Sequence, residues 1–293
     1  MLRRIYEFLL NKSVILKIYL SELQALVVFL LLGKEKRNIL RENKNFKDRY
    51  KGKRCFVVGN GPSLNQQDLS LLENEYVFTV NELMRHKEFG KLKSNFHVLA
   101  DPFYYKKGYE EKIQKMMSII EKEENIPEVF FPVQGKEIIE ELKFQNIKFH
   151  YFLVGCNMYE PYKKKFNYAK SVPGFYTVVQ YAITLAIYMG FSEIYLLGCD
   201  MTGYRKMEDK VLGKGEENHC YKVSEEERKK LYKDENVSCE AFFSGYAQMF
   251  KDYRRLLEYT KREGIRLVNV TEGGMLDSLP REKFESLFST MER

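Results

Sequence analysis

Cys55-Phe56-Val57-Val58-Gly59-Asn60-Gly61-Pro62-Ser63-Leu64 is the stretch that decides the fold of this 293-residue chain: an apolar run, a glycine turn and a helix-start signal in succession. The run reads as a short strand buried on both faces. The turn behind it is expected to bring bare backbone N–H groups to the mouth of a sheet, where a phosphate can lie against a helix N-terminus. Ser63 with Gln66 makes a capping box, so a helix is predicted from Ser63 through Leu72. No Gly-Lys-Ser/Thr follows, which excludes a P-loop. The dinucleotide fingerprint is broken too: Leu64 replaces the third glycine, and the strand Tyr76 to Val80 ends on Asn81 instead of an acid. NAD is disfavoured and another nucleotide favoured. The competing reading is a plain tight turn closing a βα unit, with Pro62 and Ser63 serving only to start a helix.

Further strands are expected over 96–100, 128–132, 148–152, 193–198 and 266–269, with helical patterns between most of them. This alternation predicts an α/β fold, a Rossmann-like, mostly parallel sheet with helices on both faces. The clearest helix runs from Tyr176 to Met189 and stops at Gly190, a good C-cap. Its start at Pro173-Gly174 offers a second set of backbone N–H groups. Asp101 and Asp200 each follow a strand end, where open α/β sheets bind ligands. Residues 203–238 are charged, glycine-dotted and aperiodic apart from a helical stretch at Glu225–Tyr232, and read as a lid carrying His219 and Tyr221. The expected organisation is an N-terminal helical extension over 1–50 and one catalytic domain over 51–293.

The net charge of +7 arises from 48 basic and 41 acidic side chains, dense but mixed. Without an aromatic-interleaved basic block, nucleic acid is not the expected partner. The basic excess gathers before residue 54 and points to an anionic membrane surface. There the apolar stretches Ile5 to Leu10, Val14 to Leu20 and Leu23 to Leu32 are broken by Lys12, Lys17 and Glu22. The clean run Ala25 to Leu32 falls short of the ~20 residues that cross a bilayer, so a spanning segment is not expected. Gly33-Lys34-Glu35-Lys36 after it is no signal-peptide cleavage site. Amphipathic helices lying on the inner leaflet, or packed on a partner or on the domain, are the two readings. Five cysteines, without a C-x-x-C pair, fit a reducing cytoplasm and neither a disulfide framework nor a zinc site. Self-association is left open.

Gly59-Asn60-Gly61-Pro62-Ser63-Leu64, then Asn81, then Gly190-Phe191-Ser192-Glu193-Ile194-Tyr195-Leu196-Leu197-Gly198-Cys199-Asp200 resembles the bacterial CMP-sialic acid-dependent sialyltransferases of capsule and lipooligosaccharide synthesis. The same landmarks are similar to the MptE-like (6-hydroxymethylpterin pyrophosphokinase-like) proteins, many of them found among surface-polysaccharide genes. The likeness follows motif order over roughly residues 53–285, in islands. It implies one Rossmann-type domain with a lid over a CMP-sugar, working without metal and inverting the anomeric centre. On that likeness the glycine turn with Asn60 holds the CMP end, Asn81 assists, and Gly174 offers backbone to the nucleotide. Lys170 stands where the sialyltransferases have an arginine near the substrate. Asp101 stands where they have asparagine, as MptE-like proteins also tend to have it. Their lid carries a tyrosine and, three residues on, a basic histidine; here the order is His219 and then Tyr221, and His219 is the candidate base.

Transfer from a nucleotide sugar needs a base for the acceptor hydroxyl and stabilisation of the leaving phosphate. His219 suits the first task, and Tyr204 and Tyr221 are candidates for the second. His86, His97 and His150 lie in or beside regular elements, where structural hydrogen bonding is expected. No D-x-D pair occurs, so metal independence is expected and no cofactor beyond the donor. The alternative is an MptE-type pyrophosphokinase moving diphosphate from ATP to a hydroxymethyl group, with Asp101 and Asp200 as Mg²⁺ ligands. A non-enzymatic nucleotide-binding scaffold is the third reading.

Overall fold

The computed structural model describes residues 2–158, 164–205, 219–224 and 238–288, with backbone alone for 2–12. The lid expected over 203–238 therefore lies largely outside the described residues, and the helix expected at Glu225–Tyr232 lies wholly outside them. The strands are β1 (Arg54–Val58), β2 (Tyr76–Val80), β3 (Phe96–Val98), β4 (Glu128–Pro132), β5 (Phe149–Phe152), β6 (Val154–Asn157), β7 (Val172–Gly174), β8 (Glu193–Leu197) and β9 (Arg266–Asn269). The helices are α1 (Leu2–Leu31), α2 (Lys34–Glu42), α3 (Glu110–Ile120), α4 (Lys136–Leu142), α5 (Val178–Tyr188) and α6 (Cys239–Arg262).

Seven strands form one sheet in the order β5-β4-β3-β2-β1-β8-β9, and every pairing in it is parallel. The fold is the α/β, Rossmann-like architecture read from the alternation. Both faces are buried, which is why the strands are almost continuously apolar. Cys55, Val57, Ile194 and Leu196 face a core shared with α5 and α6. Phe56, Val58, Tyr195 and Leu197 face the other, shared with α3. The chain steps outward from β1 to β5 and then returns to place β8 on the free side of β1. That reversal puts the topological switch point between β1 and β8, with Gly59 and Gly198 at its carboxyl end.

Helix α5 is buried along its whole length. Gly190 ends it at φ +90, and a Cβ there would lie 2.9 Å from the Asp48 Cα. The C-cap reading is thus correct, and the residue must be glycine on both counts.

Three expectations are corrected. No helix runs from Ser63 to Leu72: two short 3-10 turns, Pro62–Gln66 and Leu69–Leu72, are separated by Gln67 in extended backbone. The Ser63 hydroxyl does not cap this segment, because it donates to Asp200 Oδ2 at 2.8 Å. Pro173-Gly174 is no helix start either; it belongs to β7, paired with β6, and α5 begins after Thr177. At the N-terminus, α1 is one continuous helix with a 19-residue apolar window, Ser13–Leu31, of mean hydropathy 2.0, long enough by length and composition to cross a membrane. Lys17 and Glu22, which divide the apolar runs in the sequence, fall to the flanks of this helix rather than breaking it. Residues 43–50 are built into the domain: Phe46 is core, and Asn43 donates to the carbonyls of Tyr151 and Tyr168 at 2.7 and 2.9 Å.

Candidate functional site

The glycine turn is interlocked with the loop after β8. Gly59 N–H donates to Leu197 O and Gly61 N–H to Gly198 O, both at 2.8 Å. Ser63 N–H reaches Asp200 Oδ1 at 3.2 Å while its hydroxyl takes Oδ2. A Cβ on Gly61 would fall 1.6 Å from Asp200 Oδ2, and one on Gly59 2.6 Å from Gly198 O. Glycine is required here because two stretches of this chain's own backbone touch. The expectation of bare amides is therefore corrected: those of Gly59, Gly61 and Ser63 are spent inside the protein, and a five-residue 3-10 turn has no dipole to offer an anion.

Asp200 is the pin of this closure. Its backbone carbonyl accepts from Met275 N–H at 2.7 Å, and Gly274 packs on its Cα. Burial raises the carboxyl pKa, opposed by the two Ser63 hydrogen bonds. Both carboxylate oxygens accept from Ser63, so Asp200 ties the glycine turn to the loop after β8.

One strand away the arrangement reverses. Val58 pairs with Thr79, so Asn60 and Asn81 stand level at the tips of β1 and β2. The side-chain carbonyl of each is buried without a hydrogen-bond partner among the described residues. Asn81 is also left-handed at φ 44, a conformation that costs a non-glycine residue about 1 kcal/mol. An unpaired buried carbonyl costs a further ~1–3 kcal/mol. Cost gathered at two neighbouring strand tips makes this edge the candidate site. Beneath it, Thr79 Oγ1 bonds Ser94 Oγ and His97 Nδ1, both at 2.8 Å. Burial lowers the His97 pKa to about 3, against a smaller opposing pull from the Asn81 backbone. Asp101, at the tip of β3, accepts from Phe103 N–H at 3.0 Å and caps the turn Pro102–Tyr105.

Residues 219–224 bring His219 to this edge. Cys220 N–H donates to Asn60 O at 2.9 Å, and Asn65 Nδ2 to Cys220 O at 3.3 Å. The His219 and Tyr221 rings stack, centroids 5.0 Å apart at 20°. The Arg85 guanidinium lies 4.6 Å from the Tyr221 centroid and donates to Lys222 O at 2.8 Å. Glu82 holds Arg85 at 2.8 Å and Lys112 at 2.6 Å. Buried Tyr104 is kept protonated by desolvation, with Glu82, Asp101 and Tyr221 adding to the effect. Asn60, Asn81 and His219, far apart in sequence, thus converge. Glu82 and Arg85 were missed by the sequence reading; their charge pairing three residues apart, directly after Asn81, was the available clue.

Other expected site residues lie elsewhere. Tyr204 sits against Tyr246, whose hydroxyl is bonded by the backbone of Tyr204 and Gly203. Lys170 is exposed on the turn before β7, and Gly174 is half-buried within β7, where a Cβ would be 3.2 Å from Val154. The remaining histidines are structural as expected: His86 Nε2 meets Asn65 Oδ1 at 3.3 Å and His150 Nε2 meets Glu128 at 2.7 Å.

Fold and site together define a doubly wound α/β protein whose polar edge lies at the carboxyl ends of β1 and β2, beside the switch point. Residues 32–206 match the family model described as 6-hydroxymethylpterin diphosphokinase MptE-like, and the chain belongs to the MptE-like family. Among solved structures it is similar to the sialyltransferase CstII from Campylobacter jejuni in complex with a substrate analogue, cytidine-5'-monophosphate, at 16% identity and TM-score 0.45, over 79% of this chain and 85% of that one. A second CstII structure, with CMP-3FNeuAc, is 17% identical at TM-score 0.45, over 78% and 86% of the two chains. The comparison with curated proteins returns no match.

Proposed function

We propose that this chain is a metal-independent, inverting glycosyltransferase that moves a sialic acid or related sugar from a CMP-activated donor to a surface glycan acceptor. The observation that carries the reading is the bond from Cys220 N–H to Asn60 O at 2.9 Å, which ties the His219 segment to the strand tips with unpaired acceptors. The carbonyls of Asn60 and Asn81 take up donors of the cytidine end, either its exocyclic amine or its ribose hydroxyls. His219 removes the acceptor hydroxyl's proton as that oxygen bonds the anomeric carbon. The bond to the phosphate breaks on the opposite face, and CMP leaves with the electron pair. An imidazole titrating near neutrality suits the proton transfer. The hydroxyl of Tyr221, beside His219, donates to the leaving phosphate.

The second reading, diphosphate transfer from ATP to a hydroxymethylpterin-type acceptor, is favoured by the family match over residues 32–206. It needs Mg²⁺ held by one or two carboxylates and the phosphates. Asp200 fits this poorly, since both its oxygens accept from Ser63. No group of three or more potential ligands occurs among the described residues.

Two assays separate the readings: CMP release from CMP-sugars in the presence of chelator, and AMP release from ATP with Mg²⁺ and 6-hydroxymethyl-dihydropterin. The first reading expects activity only in the former, with His219→Ala lowering it 10²–10⁴-fold while CMP still raises the melting point. AMP release that chelator abolishes overturns it in favour of the second. CMP binding with turnover in neither assay leaves a nucleotide-binding scaffold.

A further inference from the structure

Helix α1 is apolar on two opposite faces, and the domain covers only one. Ser21 and Ala25 are buried against β6: Asn157 N–H donates to Ser21 Oγ at 2.8 Å, and Gly155 lets the helix approach so closely that a Cβ there would be 3.4 Å from Ala25 Cα. About 180° around the helix, at ~100° per residue, Leu16, Tyr19, Leu23, Leu26, Leu30 and Leu31 are 52–80% exposed. No charged residue interrupts that stripe. Lys17 and Glu22 lie on the flanks, and Glu22 pairs with Lys164 of the domain at 2.7 Å. A helix apolar all round needs covering on both sides.

The charge of the segment selects the cover. Residues 1–54 hold fourteen basic and five acidic side chains, an excess of nine, whereas the whole chain is only +7. The rest of the molecule is slightly acidic, so the positive charge is concentrated in the segment that contains the bare stripe. A second copy would set this excess against itself, while an anionic leaflet complements it. The packing on β6 selects the orientation. Were α1 to span, Ser21 and Ala25 would sit near the bilayer midplane and carry the two-stranded β6-β7 sheet and the Glu22–Lys164 pair into hydrocarbon. Open sheet edges are not tolerated there, and ion pairs are costly.

We propose that α1 lies in the plane of an anionic lipid surface, its leucine stripe sunk to the acyl boundary and its Ser21–Ala25 stripe holding the domain on that surface. The window long enough to cross is thereby used lengthwise.

The test uses the full chain reconstituted with phosphatidylcholine vesicles containing one quarter phosphatidylglycerol. Flotation is expected with these and not with pure phosphatidylcholine, and Leu23→Asp and Leu30→Asp should each lower the bound fraction at least tenfold. Spin labels at positions 16, 23 and 30, with Cys156 and Cys239 replaced by serine, should report one shallow depth. Positions 16 and 30 are about 21 Å apart along the axis. A label at 23 near the midplane with the outer two near opposite headgroup layers would establish a spanning helix and overturn the proposal. Equal binding to neutral vesicles would overturn it, as would failure to float. In the latter case, a dimer in solution dispersed by Leu23→Asp would identify a second copy as the cover. The wild-type labels carry the test even if the aspartate variants do not fold.

Discussion

The glycine turn after β1 and the asparagine edge beside it handle polar groups in opposite ways. In the turn, the amides of Gly59, Gly61 and Ser63 all meet partners at the end of β8 or on the loop after it. At the edge, Asn60 and Asn81 keep buried carbonyls with no partner among the described residues. A glycine motif at a switch point can thus be demanded by the protein's own backbone contact. It locates the candidate site, while the carbonyls proposed to recognise a ligand stand one residue inside the turn and one strand over.

The comparison breaks most visibly at Gly61. Alanine there must displace the Asp200 carboxylate and the Gly198 carbonyl together, with an expected loss of about 3 kcal/mol in urea unfolding. A loss under about 1 kcal/mol would mean the two loops part easily and the turn's amides are available after all. Next comes the floor beneath Asn81. The folded pKa of His97, about 3, lies below its ordinary 6.5, so the unfolded chain binds the extra proton and stability falls as pH drops below 6.5. The expected loss is about 2 kcal/mol between pH 7 and pH 5. His97→Gln should flatten the slope over that interval in pH-dependent denaturation, and an unchanged slope would place its source elsewhere.

Asn60→Ala and Asn81→Ala sharpen the contrast, because neither side-chain carbonyl has a partner to lose. Stability should hold in Asn60→Ala and fall by about 1 kcal/mol in Asn81→Ala, whose left-handed backbone alanine tolerates less well, while CMP affinity by calorimetry falls about tenfold in both, or 1.4 kcal/mol. Arg85→Ala should leave CMP affinity within about twofold and lower turnover severalfold, since Arg85 supports the Tyr221–His219 stack rather than the strand tips. The smallest effect is expected at exposed Lys170, where alanine should alter stability by less than about 0.5 kcal/mol.

Much of the fold was legible because it follows from local pattern. The seven sheet strands, the glycine ending α5 and the two-sided core need only apolar periodicity and one positive-φ position. The site was half legible: Asn60 and Asn81 follow strand ends, and His219 stood out among four histidines. What Ser63 would bond was not legible. Its spacing to Gln66 suggests a capping box, but Asp200, 137 residues away, takes its hydroxyl. Arg85 gains meaning only when residues 219–222 arrive beside it.

The sequence by itself determined a parallel α/β sheet with a glycine turn at its switch strand, since strand propensity, alternation and backbone freedom are properties of neighbouring residues. Tertiary structure alone decided which amides are spent and which side-chain carbonyls remain, and which face of α1 is left bare. Those outcomes depend on contacts between segments that touch only once the sheet has ordered them.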